Sequence, residues 1–195
     1  MSTDSPWSDL PLVDFCDGLA DGTAGAAGAR AAAVLAATGA ALAAGAQRAQ
    51  PGSDGSVYAV GRADELDALR ERVLERMDIQ RGVLEKLAGE LESEELEKWR
   101  KRRVEVVLET VEIAVAALRI AVVGAPETEG EYRSDLAVAA GVLASAAEAV
   151  APEVRRSVAE LADAEWGERH RMASDSLRAE AAALLLEVQT EVSNA

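Results

Sequence analysis

Carboxylates are the only abundant side chains in this chain able to move protons near neutrality: 35 Asp and Glu stand against 20 Lys and Arg, one histidine and one cysteine in 195 residues. A single histidine, His170, supplies neither a zinc ligand set nor a Ser–His–Asp order. A single cysteine, Cys16, forms no internal disulfide. Acid–base chemistry therefore falls to carboxylates in special places, and two stand out. Asp135 follows Ser134, a good helix N-cap, so it falls in a first turn, where the helix dipole favours a carboxylate by about 0.3–1 kcal/mol. Dipole compensation alone accounts for it; facing a cavity it would serve as general acid or base. Asp78 stands beside the apolar stripe of an amphipathic helix, half exposed, with Arg81 or Arg102 as prospective ion-pair partners.

The remaining clusters read as structural. Glu105, Glu109 and Glu112 form a carboxylate ladder without the Glu-x-x-His pairs of bundle-core metal sites, so no metal is expected. His170, in the polar run EWGERHRM, reads as solvated, and Cys16 as a small core residue. The basic run KWRKRR at 98–103 follows four acids closely and reads as a solvated, internally paired face. The glycine-rich turn at 22–28 lacks the lysine of a G-x-x-x-x-G-K-[ST] loop and no strand precedes it, which favours a helix–helix turn over a nucleotide loop.

The elements that must position these residues are helices. One starts at Pro11, with Leu12, Phe15, Cys16 and Leu19 on one face. An alanine-rich helix follows, in which Gly25, Ala29, Ala33, Ala37, Ala41 and Gly45 recur every four residues, a stripe against which another helix can lie closely. QPGSDGS at 50–56 ends it. From about Ala63 to Leu91 the apolar residues Leu66, Leu69, Val73, Met77, Leu84, Leu87 and Leu91 keep helical spacing, with Gln80 in one apolar slot. Val104, Val107, Leu108, Val111, Val115, Leu118 and Val122 mark the next. The helix from Asp135 repeats the small-residue stripe at Ala137, Gly141, Ser145 and Ala149, and Pro152 is expected to restart a last helix reaching Val192, bent near Gly167. Only Val57–Val60 alternates in strand fashion. The fold class is all-α, a bundle of about six helices.

A net charge of −15 repels phosphate backbones and anionic lipid, so nucleic-acid and membrane partners are not expected and a cytoplasmic location is. Residues 1–9 lack the basic and apolar regions of a signal peptide. The uncharged run between Arg30 and Arg48 is mostly Ala and Gly and reads as a helix buried in protein. Aromatics make up 3% and hydrophobic residues 49% of the chain, so backbones must approach closely and a second copy is expected to cover part of the surface as a homodimer.

The order of these features resembles the cyclodeaminase/cyclohydrolase family, which includes the cyclodeaminase half of formiminotransferase-cyclodeaminase and bacterial methenyltetrahydrofolate cyclohydrolases. Ser134-Asp135-Leu136-Ala137-Val138-Ala139 is similar to the family's Ser-Asp-x-x-Val-Ala helix start; the glycine-rich turn GTAGAAGARAAAVLAATGAAL and Asp78 follow. The resemblance implies one dimeric helical domain over residues 8–192, after a tail at 1–7. It further implies a small-molecule substrate and no cofactor beyond it: hydrolysis or deamination of a cyclic C–N bond in a tetrahydrofolate one-carbon adduct. Asp135 and Asp78 are then the catalytic candidates, and Thr23, Gly25, Gly28, Tyr58 and Ser134 the substrate-binding ones. Departures are visible. The family's Pro-Thr-Pro-Gly-Gly-Gly-Ser turn is here Gly22-Thr23-Ala24-Gly25-Ala26-Ala27-Gly28, and its Gly-Lys-Lys-Tyr-like segment has become GSDGSVYAVGR, without lysine. Two alternatives stay open: a catalytically silent helical dimer acting as a binding or scaffold protein, and a pocket repurposed for a non-folate metabolite in a biosynthetic pathway.

Overall fold

The computed structural model describes residues 27–49 and 57–194, together with residues 14, 16, 17 and 20. Five α-helices run through them: α1 Ala27–Arg48, α2 Val57–Leu87, α3 Ser93–Gly124, α4 Tyr132–Ala159 and α5 Ala164–Asn194, with a 3-10 turn at Ala125–Glu127. No strand occurs among the described residues, and Val57–Val60 opens α2. Most of the helix expected from Pro11 lies outside the described residues. Cys16 is helical but exposed, as are its neighbours Asp14 and Asp17, so the face carrying those two acids takes the cysteine outward, against the expectation of a core position.

α1, α3 and α4 form the centre of the bundle. α2 covers α1 and α3 on one side, and α5 covers α3 and α4 on the other. The stripes expected on α2 and α3 are buried as their spacing requires, from Leu66 through Met77 and from Val104 through Leu118. The alanine stripe of α1 behaves differently. Ala29, Ala33 and Ala37 are buried, yet Ala41 is only partly so and Gly45 is exposed. A four-residue step advances about 400° around a helix of 3.6 residues per turn, so such a stripe drifts off the contact face within a few turns. The face actually buried shifts to Ala36, Ala40, Ala43, Ala44 and Gln47. On α4, Ala137, Gly141, Ser145 and Ala149 likewise lie on a flank, and the core takes Leu136, Ala139, Ala140, Leu143 and Ala147.

Small residues do bring backbones together at one point. A Cβ on Gly39 would sit 2.6 Å from Leu143 Cγ and 3.2 Å from the Ala139 carbonyl, so α4 inserts a leucine where α1 has no side chain. Pro152 does not restart a helix: α4 passes through it to Ala159, and the break falls at residues 160–163. There Glu97 of α3 accepts the Ala162 N–H at 3.1 Å and the Asp163 N–H at 3.2 Å, and Asp163 Oδ1 accepts the Trp166 N–H at 3.0 Å as a cap for α5. Gly167 therefore lies in the first turn of α5 and marks no mid-helix bend.

Most of the basic run at 98–103 pairs across helices, and Arg102 pairs with the later acids Glu105 and Glu109 of its own helix, not with the acids preceding the run. Lys101 meets Asp163 at 2.7 Å, Arg100 donates to the Glu160 carbonyl at 2.9 Å, and Arg103 pairs with Glu153. Only Trp99 turns back, its Nε1 donating to Glu95 at 3.4 Å. His170 is half-buried, against the expectation of a solvated ring. It stacks on Trp166 with centroids 3.4 Å apart and its Nδ1 is 2.8 Å from the Trp166 carbonyl. α1 from Gly28 and α4 are each long and apolar enough to cross a membrane, and each is about half buried within the bundle.

Candidate functional site

The two carboxylates singled out by sequence are placed by separate elements. Asp78 lies on α2, eleven residues after Asp67, a spacing that returns a helix to within about 20° of the same face. Asp67 pairs with Arg48 of α1, and Asp78, half-buried, lies on nearly the same face of α2. Of its prospective partners, Arg102 pairs with Glu105 at 3.2 Å and Glu109 at 3.0 Å; Arg81 is 3.4 Å from Glu85, and both it and Asp78 make further interactions. Glu109 also receives Arg76 at 3.0 Å, which turns two rungs of the expected carboxylate ladder into a structural network between α2 and α3. Among the described residues, no three of His, Cys, Asp and Glu group as a metal site.

Asp135 lies exposed in the first turn of α4. Ser134 is not its N-cap: the helix starts at Tyr132, Glu131 occupies the cap position without a side-chain hydrogen bond, and the Ser134 N–H already donates to the Glu131 carbonyl at 3.0 Å. One added helical turn, made through Gly130 with its φ of 57°, moves the start upstream of where the serine signalled it. Tyr58, in the first turn of α2, is 78% exposed. Gly28, in the first turn of α1, is exposed beside the Ala149 carbonyl of α4, and a Cβ there would stand 3.4 Å from that oxygen. Thr23 and Gly25 lie outside the described residues.

Two registers locate these groups along α1. Against α2 it runs antiparallel, with Gln47 bonded to Arg62 and Arg48 to Asp64, so Asp78 is level with about Ala31. Against α4 it also runs antiparallel, with Gly28 beside Ala149 and Gly39 beside Ala139 and Leu143, so Asp135 is level with about Ala43. The structure thus gathers Gly28 and Asp78 at one end of α1 and Tyr58, Ser134 and Asp135 at the other. It does not bring the two carboxylates together within one chain. α2 and α4 share no packed interface among the described residues.

Near the Gly28 end, Arg30 is 5% exposed, and burial holds its guanidinium below the usual arginine range. At the other end lies a buried polar network that sequence reading missed. Gln47, with 0% exposure, accepts from Arg62 Nε at 2.8 Å and donates to Thr128 Oγ1 at 3.3 Å; Arg62 pairs with Glu127 at 2.5 Å. The signal for Gln47 was present, since it continues the spacing of Ala36, Ala40 and Ala43. Two grooves among the described residues avoid all candidate residues. One, of about 590 Å³, runs along the start of α3 past Trp99 and Lys98; another, of about 450 Å³, lies between the small residues of α4 and Ala182 and Leu185 of α5.

The all-helical bundle has a cyclodeaminase helical fold. Its likeness is to formiminotetrahydrofolate cyclodeaminase from Thermotoga maritima, whose crystal structure superposes with a TM-score of 0.84 at 16% sequence identity, over 95% of this chain and 97% of that one. At the level of sequence, no protein-family profile and no curated protein matches.

Proposed function

We propose that this chain acts as a homodimer on a cyclic C–N bond of a tetrahydrofolate one-carbon adduct. The observation that supports it is the cyclodeaminase fold, shared over 95% of the chain with a protein described as a formiminotetrahydrofolate cyclodeaminase. The chemistry needs two proton transfers. In a cyclohydrolase direction, one carboxylate takes a proton from water as the oxygen attacks the methenyl carbon, and a protonated partner gives one to the ring nitrogen as its bond to that carbon breaks. In a cyclodeaminase direction, the neighbouring secondary amine nitrogen attacks the formimino carbon and gives up its proton as the five-membered ring closes, and the imino nitrogen takes a proton and leaves as ammonia. Asp78 and Asp135 are the groups assigned to these steps, with Gly28, Tyr58 and Ser134, together with Thr23 and Gly25 outside the described residues, as the substrate-binding candidates.

Proton transfer requires heavy-atom approaches of about 2.6–3.2 Å. Two carboxylates a dozen helical residues apart cannot both reach one bond in a single chain. A two-fold pair places the same face of each subunit against the other, so chains laid antiparallel along α1 set the Asp135 end of one beside the Asp78 end of its partner. The dimer is thus part of the proposed chemistry. The test is the decay of methenyltetrahydrofolate absorbance with purified protein, alongside thermal unfolding with and without folates. Decay faster than buffer and a raised midpoint support the reading, and decay at the buffer rate with an unmoved midpoint contradicts it.

A second reading, a catalytically silent helical dimer, is favoured by the changed turn and by the missing lysines that a polyanionic folate tail would call for. Under it, Asp135→Asn leaves cellular function intact. A metabolite that is neutral or cationic would suit the acidic balance and is the third reading; ligand-dependent thermal shifts separate it from the second.

A further inference from the structure

A helix coated with alanine has few side chains that fix its register, and against α4 the seat of Leu143 at Gly39 is one of them. Moving α1 by four residues lays Ala36 over Ala40 and Ala40 over Ala44 along the alanine face but carries Leu35 or Ala43 into the seat of Leu143, and between Arg30 and Arg48 one polar side chain is buried on α1: Gln47. Buried polar groups demand their partners, because an orphaned one costs about 1–3 kcal/mol. Both ends of the Gln47 amide are used, by Arg62 Nε on α2 and by Thr128 Oγ1 after α3. The neighbouring backbone makes room for it, since a Cβ on Gly124 would stand 2.5 Å from Gln47 Nε2. Thr128 in turn donates its hydroxyl to the Gly124 carbonyl at 2.8 Å and accepts at its own carbonyl from Arg133 Nε at 2.7 Å. A one-turn slip of α1 breaks the two Gln47 bonds at once.

Four residues after Thr128, α4 begins, with no side-chain cap of its own. We propose that Gln47, Arg62 and Thr128 form a latch that sets where α4 starts relative to α1, and that they are thereby positioning residues for Asp135. This rests on the assignment of Asp135 as a working carboxylate. The latch acts through the turn at 125–131, held on the α1 side by Gln47 and on the α2 side by the Arg62–Glu127 pair.

Amide hydrogen exchange on the full chain tests it, with urea unfolding and methenyltetrahydrofolate turnover measured on the same samples. Thr128→Val keeps the shape and loses the hydroxyl, Gln47→Leu removes the amide, and Thr128→Ser keeps the hydroxyl. The latch predicts that exchange over residues 128–136 rises about tenfold or more in the first two variants, with α3 core amides unchanged, and stays at the wild-type rate in the serine variant. It also predicts that kcat falls in Thr128→Val at constant KM and recovers in Thr128→Ser. Exchange at 128–136 that stays unchanged in both loss variants overturns the latch, as does a rise spread evenly over all helices with a lowered urea midpoint. A wild-type protein without turnover overturns the role assigned to Asp135, and the exchange pattern still decides the latch.

Discussion

Asp78 and Asp135 sit level with opposite halves of α1, about a dozen residues and roughly 18 Å apart along its axis. The separation follows from two antiparallel registers, one fixed by the Gln47–Arg62 hydrogen bond and the other by the seat of Leu143 against Gly39. Under the proposed function, with both carboxylates at one bond, a second copy is what would unite them.

The Gly39–Leu143 contact has no slack. Gly39→Ala is expected to lower stability by about 1–3 kcal/mol through overpacking, read as a lower urea midpoint at unchanged slope. Gly141→Ala, where nothing stands within 4 Å of the added methyl, serves as the control and should match or exceed wild type.

Glu153 is 6% exposed and held by Arg103 and Arg156, with Ser157 Oγ donating at 3.4 Å. Glu153→Leu leaves Arg103 in a mostly buried place with only Glu160, 3.8 Å away, and is expected to cost about 3 kcal/mol. Combining it with Arg103→Met removes both charges and should recover most of that loss. A double-mutant cycle on urea midpoints reads the difference.

The Lys101 ammonium, and then the Trp166 N–H, hold the Asp163 carboxyl below the usual carboxylate range, and Arg171 does the same for Glu168. A depressed folded pKa means that between the folded and unfolded values the unfolded chain binds more protons. Stability from these groups is therefore present above pH of about 4 and is lost as pH falls through the folded values. Asp163→Asn keeps an N-cap for α5 and removes the titration. The expected result is a shallower acid limb in a plot of thermal midpoint against pH, because the midpoint near neutrality falls toward the acid value that the variant shares with the wild type.

Helical spacing made most of the fold legible. Leu66 to Met77 and Val104 to Leu118 are buried as their periods require. What spacing did not convey was ends and breaks. Ser134 looked like a cap, but the preceding turn had already closed on Glu131; Pro152 looked like a break, but packing on both sides of α4 carries the helix through it to Ala159. The alanine stripe of α1 was read at a period of four, and the 0.4-residue mismatch with the helix turns its far end outward at Gly45. The candidate site was legible one residue at a time: Asp78 is half-buried and Asp135 is in a first turn, as read. Their separation was not, because it depends on registers set by side chains distant in sequence, such as Gln47 with Thr128.

Mixing variants tests the central claim most directly. Asp78→Asn and Asp135→Asn are each expected to lower methenyltetrahydrofolate turnover by about 100-fold or more. If each site takes Asp78 from one chain and Asp135 from the other, unfolding the two variants together and refolding them yields mixed dimers with one intact site, and about a quarter of wild-type turnover returns. Turnover in the refolded mixture no higher than in either variant alone, or wild-type protein that never exceeds the buffer rate, would contradict it.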